Sequence, residues 1–224
     1  MYIKRIQAAT IKKIAERFGG GFYGRFMNCC ASICGPYSEL IHRKVRTDDT
    51  AQICIDFFDK FEKRTANDEF YPLPIRWYFD MESFVTADTS SQRQQILDSV
   101  HEVCIWSANR MSWPTGPFES AYNSLTEVNC IWKYTAKTTE SVPKQSIRLL
   151  LQTTINLDSI RLNVTTIPAR SRKEISRIEI GPIPASQAYF FGEMPTVKWL
   201  SEHEFTVSRN KVQVDKNGHL RLPF

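Results

Sequence analysis

Hydrophobic residues recur along this chain at two spacings, helical in the first half and alternating in the second. Over the opening residues, Ile3, Ile6, Thr10, Ile14 and Phe18 fall at helical intervals, with Ile11 and Ala15 beside the stripe. Lys4, Arg5, Lys12, Lys13 and Arg17 occupy the other side. The spacing predicts a basic amphipathic helix over about 3–18, because a 3.6-residue period brings the apolar positions onto one face. Gly19 to Gly21 favour open or left-handed backbone, so residues 19–24 read as a Gly-rich connector. Met27 to Ile33 reads as a short buried helix stopped at Gly35-Pro36. Ile53 to Phe58 reads as a strand, although Phe57, Phe58 and Phe61 equally fit a helix running through Lys63. Ile75 to Phe84 is a further expected strand. Ser90 or Ser91 can cap a helix from about Gln92 to Arg110, with Ile96, Val100, Val103, Cys104 and Ser107 as its inner stripe. Phe118 to Leu125 adds a helical turn or two.

From residue 127 the period drops to two. Val128, Cys130, Trp132 and Tyr134 alternate with Asn129, Lys133 and Thr135, the signature of a sheet with one wet face. Ile147, Leu149, Leu151 and Ile155 form a strand that returns through Ile160, Leu162 and Val164, a hairpin around Asn156 to Ser159. Ile178 and Ile180 suggest a short strand, and Phe205 and Val207 another. Lys211 to Val214 and His219 to Leu222 flank Asp215-Lys216-Asn217-Gly218, where Gly218 can take the positive φ of a hairpin bulge. The expected fold is α+β, an antiparallel β-sheet (mostly residues 127–222) packed against helices from the N-terminal half. With no internal repeat and no low-complexity linker, residues 1–224 read as a single domain.

Composition supports a packed core: hydrophobic residues make up 42% and charged residues 24% of 224. No secretory signal precedes the six cysteines, which sit in apolar stretches and read as free thiols of a cytoplasmic, reducing compartment. Without export, the sequon at Asn163 is an accident of composition. No stretch approaches the ~18 uncharged apolar residues of a membrane span.

Net charge is +5, and its distribution says more than its size. Residues 1–47 hold nine Lys/Arg against two acids, residues 48–104 five against twelve, and the rest fifteen against ten. Such segregation points to an anionic partner or to self-complementary packing. Lys4, Arg5, Lys12, Lys13, Arg17 and Arg25 are the candidate phosphate contacts, with Phe22, Tyr23 and Phe26 as stacking platforms for single-stranded nucleic acid. The same basic face can lie on an anionic membrane, or be nothing more than the solvated side of a docked helix. Arg170, Arg172 and Lys173, with Arg177 nearby, make a possible second patch.

Other constellations are weaker. Cys29, Cys30 and Cys34 with His42 match no common spacing of zinc ligands, and the second Cys-x-x-Cys half is missing. Asp48, Asp49, Asp56, Asp59 and Glu62 lack the alternating ligands and central Gly of a calcium loop. Nothing in the sequence sets a histidine beside a thiol, and Glu202-His203-Glu204 reads as a solvated turn. Gly19 to Gly24 follows an expected helix, where a phosphate-binding loop follows a strand, and no Gly-Lys-Ser/Thr comes after it. No catalytic residue, metal or cofactor is therefore assigned.

From residue 75 the order is strand, long helix, the Pro117-Phe118 loop, several strands and a hairpin through Asp215 to Gly218. This order resembles that of matrix proteins of negative-strand RNA viruses, although their late-domain Pro-Pro-x-Tyr is absent. The resemblance implies contacts with membrane and nucleoprotein. The expectation is a non-enzymatic binding protein engaging nucleic acid or an anionic membrane surface through its basic N-terminal segment. The alternatives are an inhibitor of the immunity-protein type, with a protein partner met through the acidic segment 48–104 or an exposed aromatic patch, and an enzyme of unrecognised class. A homo-oligomer is compatible with each.

Overall fold

A computed structural model describes residues 1–10, 12–48, 50–60, 65–66, 73–135, 140–142, 144–155, 159–171, 173–184, 197–207 and 210–223. The chain divides into two compact units, Met1–Trp132 and Lys133–Phe224.

The first unit opens with a strand where the stripe predicted a helix. β1 (Arg5–Thr10) buries Ile6, Ala8 and Thr10 and leaves Arg5, Gln7 and Ala9 half-buried. Ile6 and Thr10 fit both periods, and a parallel partner decides between them. In β2 (Gln52–Phe58), Ile53, Ile55 and Phe57 stand beside Ile6, Ala8 and Thr10 in register. Ladder hydrogen bonds and a shared buried face favour the two-residue period over an isolated helix. Only short turns remain of the expected helix, α1 (Lys12–Ala15) and a 3₁₀ turn at Glu16–Phe18.

α2 (Phe22–Ile41) starts inside the expected connector and runs through Pro36. It is buried on almost every side, including Phe22, Phe26, Cys29, Cys30, Cys34 and Tyr37. A helix apolar all round belongs in an interior, and that burial offsets the roughly 3 kcal/mol an internal proline costs. β3 (Thr65–Ala66) and β4 (Leu73–Tyr78) complete a sheet ordered β1-β2-β4-β3, parallel except for the β3–β4 pair. The expected strand over 75–84 therefore stops early. Asp80 caps α3 (Met81–Thr86) by accepting the Ser83 N–H at 2.9 Å.

α4 (Thr89–Arg110) buries all five residues of its expected stripe, and Asp88 rather than a serine caps it, accepting the N–H groups of Ser90 and Ser91 at 2.8 and 3.0 Å. α5 (Gly116–Glu127) has Pro117 in its first turn. α2 packs on β1, while α4 and α5 pack on α2. Phe22, Phe26, Phe57, Phe79 and Phe84 form one aromatic cluster, with Phe26 5.1–6.0 Å from each of the other four ring centres.

The second unit is antiparallel. β5 (Trp132–Thr135), which starts at the boundary, β7 (Ile147–Ile155), β8 (Ser159–Pro168) and β9 (Ser176–Pro184) form one sheet, with β6 (Glu140–Ser141) also on β7. The β7–β8 hairpin forms where it was expected, with Ile155 opposite Ile160 and Leu151 opposite Val164; its tip, 156–158, lies outside the described residues. β10 (Val197–Trp199), β11 (Glu204–Val207), β12 (Asn210–Val214) and β13 (Leu220–Arg221) form a four-stranded meander. Gly218, at φ +86°, closes its last turn as expected. The two sheets of this unit are tied by Thr166, whose hydroxyl donates to the Gly218 carbonyl at 2.6 Å, and by the Leu220 N–H, which donates to Ser176 Oγ at 3.1 Å. The molecule is thus a mixed α+β fold with antiparallel sheets, as expected, and with a parallel sheet that was not.

Candidate functional site

The basic segment does not present one face. Lys4 and Arg5 stand at the amino end of β1, whereas Lys12, Lys13, Arg17 and Arg25 follow its carboxyl end. Six strand residues span about 20 Å, which separates the two groups. Arg5 is engaged: with the Gln7 amide turned to face it, Arg5 Nη2 and Nε donate to the Gln7 side-chain oxygen at 2.7 and 3.0 Å. Arg17 pairs with Asp59, a carboxylate from the acidic 48–104 stretch whose side chain is only 10% exposed. Lys4, Lys12, Lys13 and Arg25 are exposed.

The aromatic platforms divide in the same way. Phe22 and Phe26 are 0% exposed and belong to the core, while Tyr23 in the first turn of α2 is 39% exposed. A helix turns one face inward every three to four residues, so Phe22 and Phe26 share the buried side and Tyr23 points away. In the second patch Arg170 and Lys173 are exposed on the β8–β9 connection, and Arg177 is paired with Glu174 at 2.6 Å. Arg172 lies outside the described residues.

The carboxyl end of β1 has the most chemistry of these places. A strand leads through a short helical turn into Gly19, Gly20 and Gly21, and the glycines open a 20-residue helix. The order that counted against a phosphate-binding loop is therefore reversed, although no Gly-Lys-Ser/Thr follows. Gly21, the N-cap, has φ +85° and offers no side-chain cap to the helix. A Cβ built on Gly19, Gly20, Gly21 or Gly24 would meet nothing within 4 Å, so backbone there is open to an approaching group. Helix amides and the positive end of the macrodipole favour an anion at such a terminus. Lys12 and Lys13 before the loop and Arg25 after it add exposed cations.

A second set of polar groups joins α2, α4 and α5. Tyr37 donates to the Phe118 carbonyl at 3.0 Å, so its oxygen accepts from His101 Nδ1 at 2.9 Å and fixes the proton on that nitrogen. The His101 ring stacks on Tyr122 at 4.4 Å, and Tyr122 donates to Asp98 Oδ1 at 2.8 Å. Burial lowers the His101 pKa below its ordinary value, against nearby Glu119, Asp98 and Glu102. Burial likewise raises Tyr37 strongly. The set braces three helices. Its one signal in the sequence is the Asp98/His101 pair at helical spacing, which also fits a solvated face.

All six cysteines are free thiols, five of them buried and Cys54 half-buried. Burial pushes the Cys34 thiol up to about 12 and the Cys130 thiol up to about 11. His42 is exposed just past the C-terminus of α2, eight residues beyond buried Cys34. Among the described residues no group of three or more His, Cys, Asp or Glu is arranged to hold a metal ion. Among them too, no helix is long and apolar enough to cross a membrane. No family model, no curated protein and no solved structure matches the chain.

Proposed function

We propose that the chain is a non-enzymatic binding protein that holds the phosphates of single-stranded nucleic acid at the carboxyl end of β1. The observation that carries this reading is the uncapped, Gly-rich entry to α2 between exposed Lys12 and Lys13 on one side and Arg25 on the other. Phosphate there meets helix amides and cations together. Nucleic acid is favoured over a bilayer because the apolar residues of α2 face the core, leaving no apolar side to insert, whereas Tyr23 is exposed in the same helical turn as Arg25 and can stack on a base.

The test is a gel-shift titration of the full chain with a single-stranded oligonucleotide, run beside flotation with phosphatidylserine vesicles. Three phosphate contacts give a slope of log affinity against log salt of about −2, so affinity falls about 20-fold from 50 to 200 mM. The triple variant K12Q/K13Q/R25Q should flatten that slope. Flotation without oligonucleotide binding, or an unchanged slope in the triple variant, overturns the reading.

A further inference from the structure

We propose that the second unit carries a separate binding site for a small phosphomonoester, in the cleft on the outer face of β11, β12 and β13. The cleft has a volume of about 540 Å³ and is lined by Ser201, His203, Gln213, Lys216, His219 and Arg221, together with Glu204 and Asp215. Its size lies in the range that holds small molecules.

Its construction is economical. Glu204, Gln213 and Arg221 stand side by side on consecutive strands, Glu204 opposite Gln213 and Gln213 opposite Arg221. The loop that presents Lys216 and His219 is held by Asp215, whose Oδ1 accepts the N–H groups of Asn217 and His219 at 2.8 and 2.9 Å. Those two bonds, with His219 and Arg221 nearby, hold the Asp215 carboxyl below its usual range, so it remains ionised. Glu204 is paired with Lys211 at 3.4 Å. At the rim Glu202 pairs with Lys144 and lies close to His203.

Charge then decides the ligand. Of the lining carboxylates, Glu204 is paired with Lys211 and Asp215 is held by two backbone N–H groups, which leaves Lys216 and Arg221 as the cations a ligand would meet. His203 and His219 add ring nitrogens able to hydrogen-bond a ligand. Ser201 and Gln213 supply neutral donors and acceptors for hydroxyl groups. A phosphomonoester fits both halves of this description. Its phosphate oxygens would accept from Lys216 and Arg221, and the hydroxyl groups of its alcohol part would meet Ser201 and Gln213.

This site is independent of the one at β1 and is tested apart from it. The chain has only four imidazoles, His42, His101, His203 and His219, so their ring protons can be followed individually by NMR in the unaltered protein. Glucose 6-phosphate at pH 6 should shift His203 and His219 saturably and leave His42 and His101 in place. Glucose alone should shift none. Inorganic phosphate should act on the same two rings, more weakly. R221Q should weaken binding about tenfold, the loss of roughly one charge-assisted hydrogen bond, with its own His203 and His219 signals retained, and K12Q/K13Q/R25Q should not weaken it. No shift at pH 6, shifts confined to His42 or His101, or loss of binding in the triple variant overturns the proposal.

Discussion

Phe26 sits in the segment whose aromatics read as an exposed stacking platform, yet it is 0% exposed and touches four other rings. Replacing it by alanine separates the two roles. The loss has two parts: about 2 kcal/mol of transfer free energy for the ring, and about 2 kcal/mol for a cavity of roughly 100 Å³ at ~24 cal/mol per Å³. Collapse of the neighbouring rings returns some of this, while lost edge-to-face contacts with Phe57, Phe79 and Phe84 add to it. Phe26→Ala should therefore cost about 4 kcal/mol, a large share of the stability of an ordinary domain. Urea titration followed by circular dichroism is the assay, fitted to the transition of the first unit, since a two-unit chain need not unfold in one step. With m near 2 kcal/mol/M the midpoint falls by about 2 M. Tyr23→Ala, in contrast, should stay within about 0.5 kcal/mol of the parent and weaken oligonucleotide binding. A cost below about 1 kcal/mol for Phe26→Ala would refute the packing argument, because a ring in contact with four others cannot leave so cheaply.

Asp59→Asn should free Arg17 and steepen the salt dependence of oligonucleotide binding by about 0.7, the contribution of one further phosphate contact; an unchanged slope would place Arg17 outside the contact. Gly218→Ala should destabilise the second unit by about 1–3 kcal/mol, since φ is +86° and the new Cβ would stand 2.9 Å from Ile147 Cδ1; an unaltered melting temperature contradicts this. Below its unfolded pKa of about 6.5, the unfolded chain takes up a proton on His101 that the buried native ring resists. Its contribution to stability is therefore complete above that value, is lost as the pH falls through the window beneath it, and levels off once the native ring is protonated. Denaturation of His101→Gln across pH 5–7.5 should show a weaker dependence than the parent; equal slopes exclude the effect. Under native conditions a thiol reagent should modify Cys54 first, and fast reaction of a second thiol counts against the buried positions of the others.

Elements that rest on one unambiguous period were legible in the sequence. α4 has five stripe residues that fit only a helix, and β7 alternates over nine positions ahead of the turn-forming residues Asn156 to Ser159. β1 was misread because Ile6 and Thr10 fit both periods, and its partner lies 47 residues away, where no local window reaches. The clue was a pair of short apolar runs, at Ile6 and at Ile53, on either side of a long apolar segment, the pattern of a parallel crossover. Pro36 concealed the length of α2, since local propensity sees the missing N–H and not the burial that outweighs it. At the candidate site, charge and exposure were readable for Lys12, Lys13 and Arg25. The fates of Phe22, Phe26 and Arg17 were not, because tertiary neighbours decide them. His203 and His219 could be noticed only as separate turn residues, since strand pairing alone brings their turns to one cleft.

The pairing of Arg5 with Gln52 bears on how the chain reaches its native state. Closing so long a loop is entropically slow, and no ladder bond rewards it until the crossover helix has formed. The β7–β8 hairpin, by comparison, joins Ile155 to Ile160 and can zip within microseconds. During synthesis the order of emergence opposes the order of ease: the slow unit leaves the ribosome first, and a cell that shields its unpaired β2 edge would spare it from aggregation.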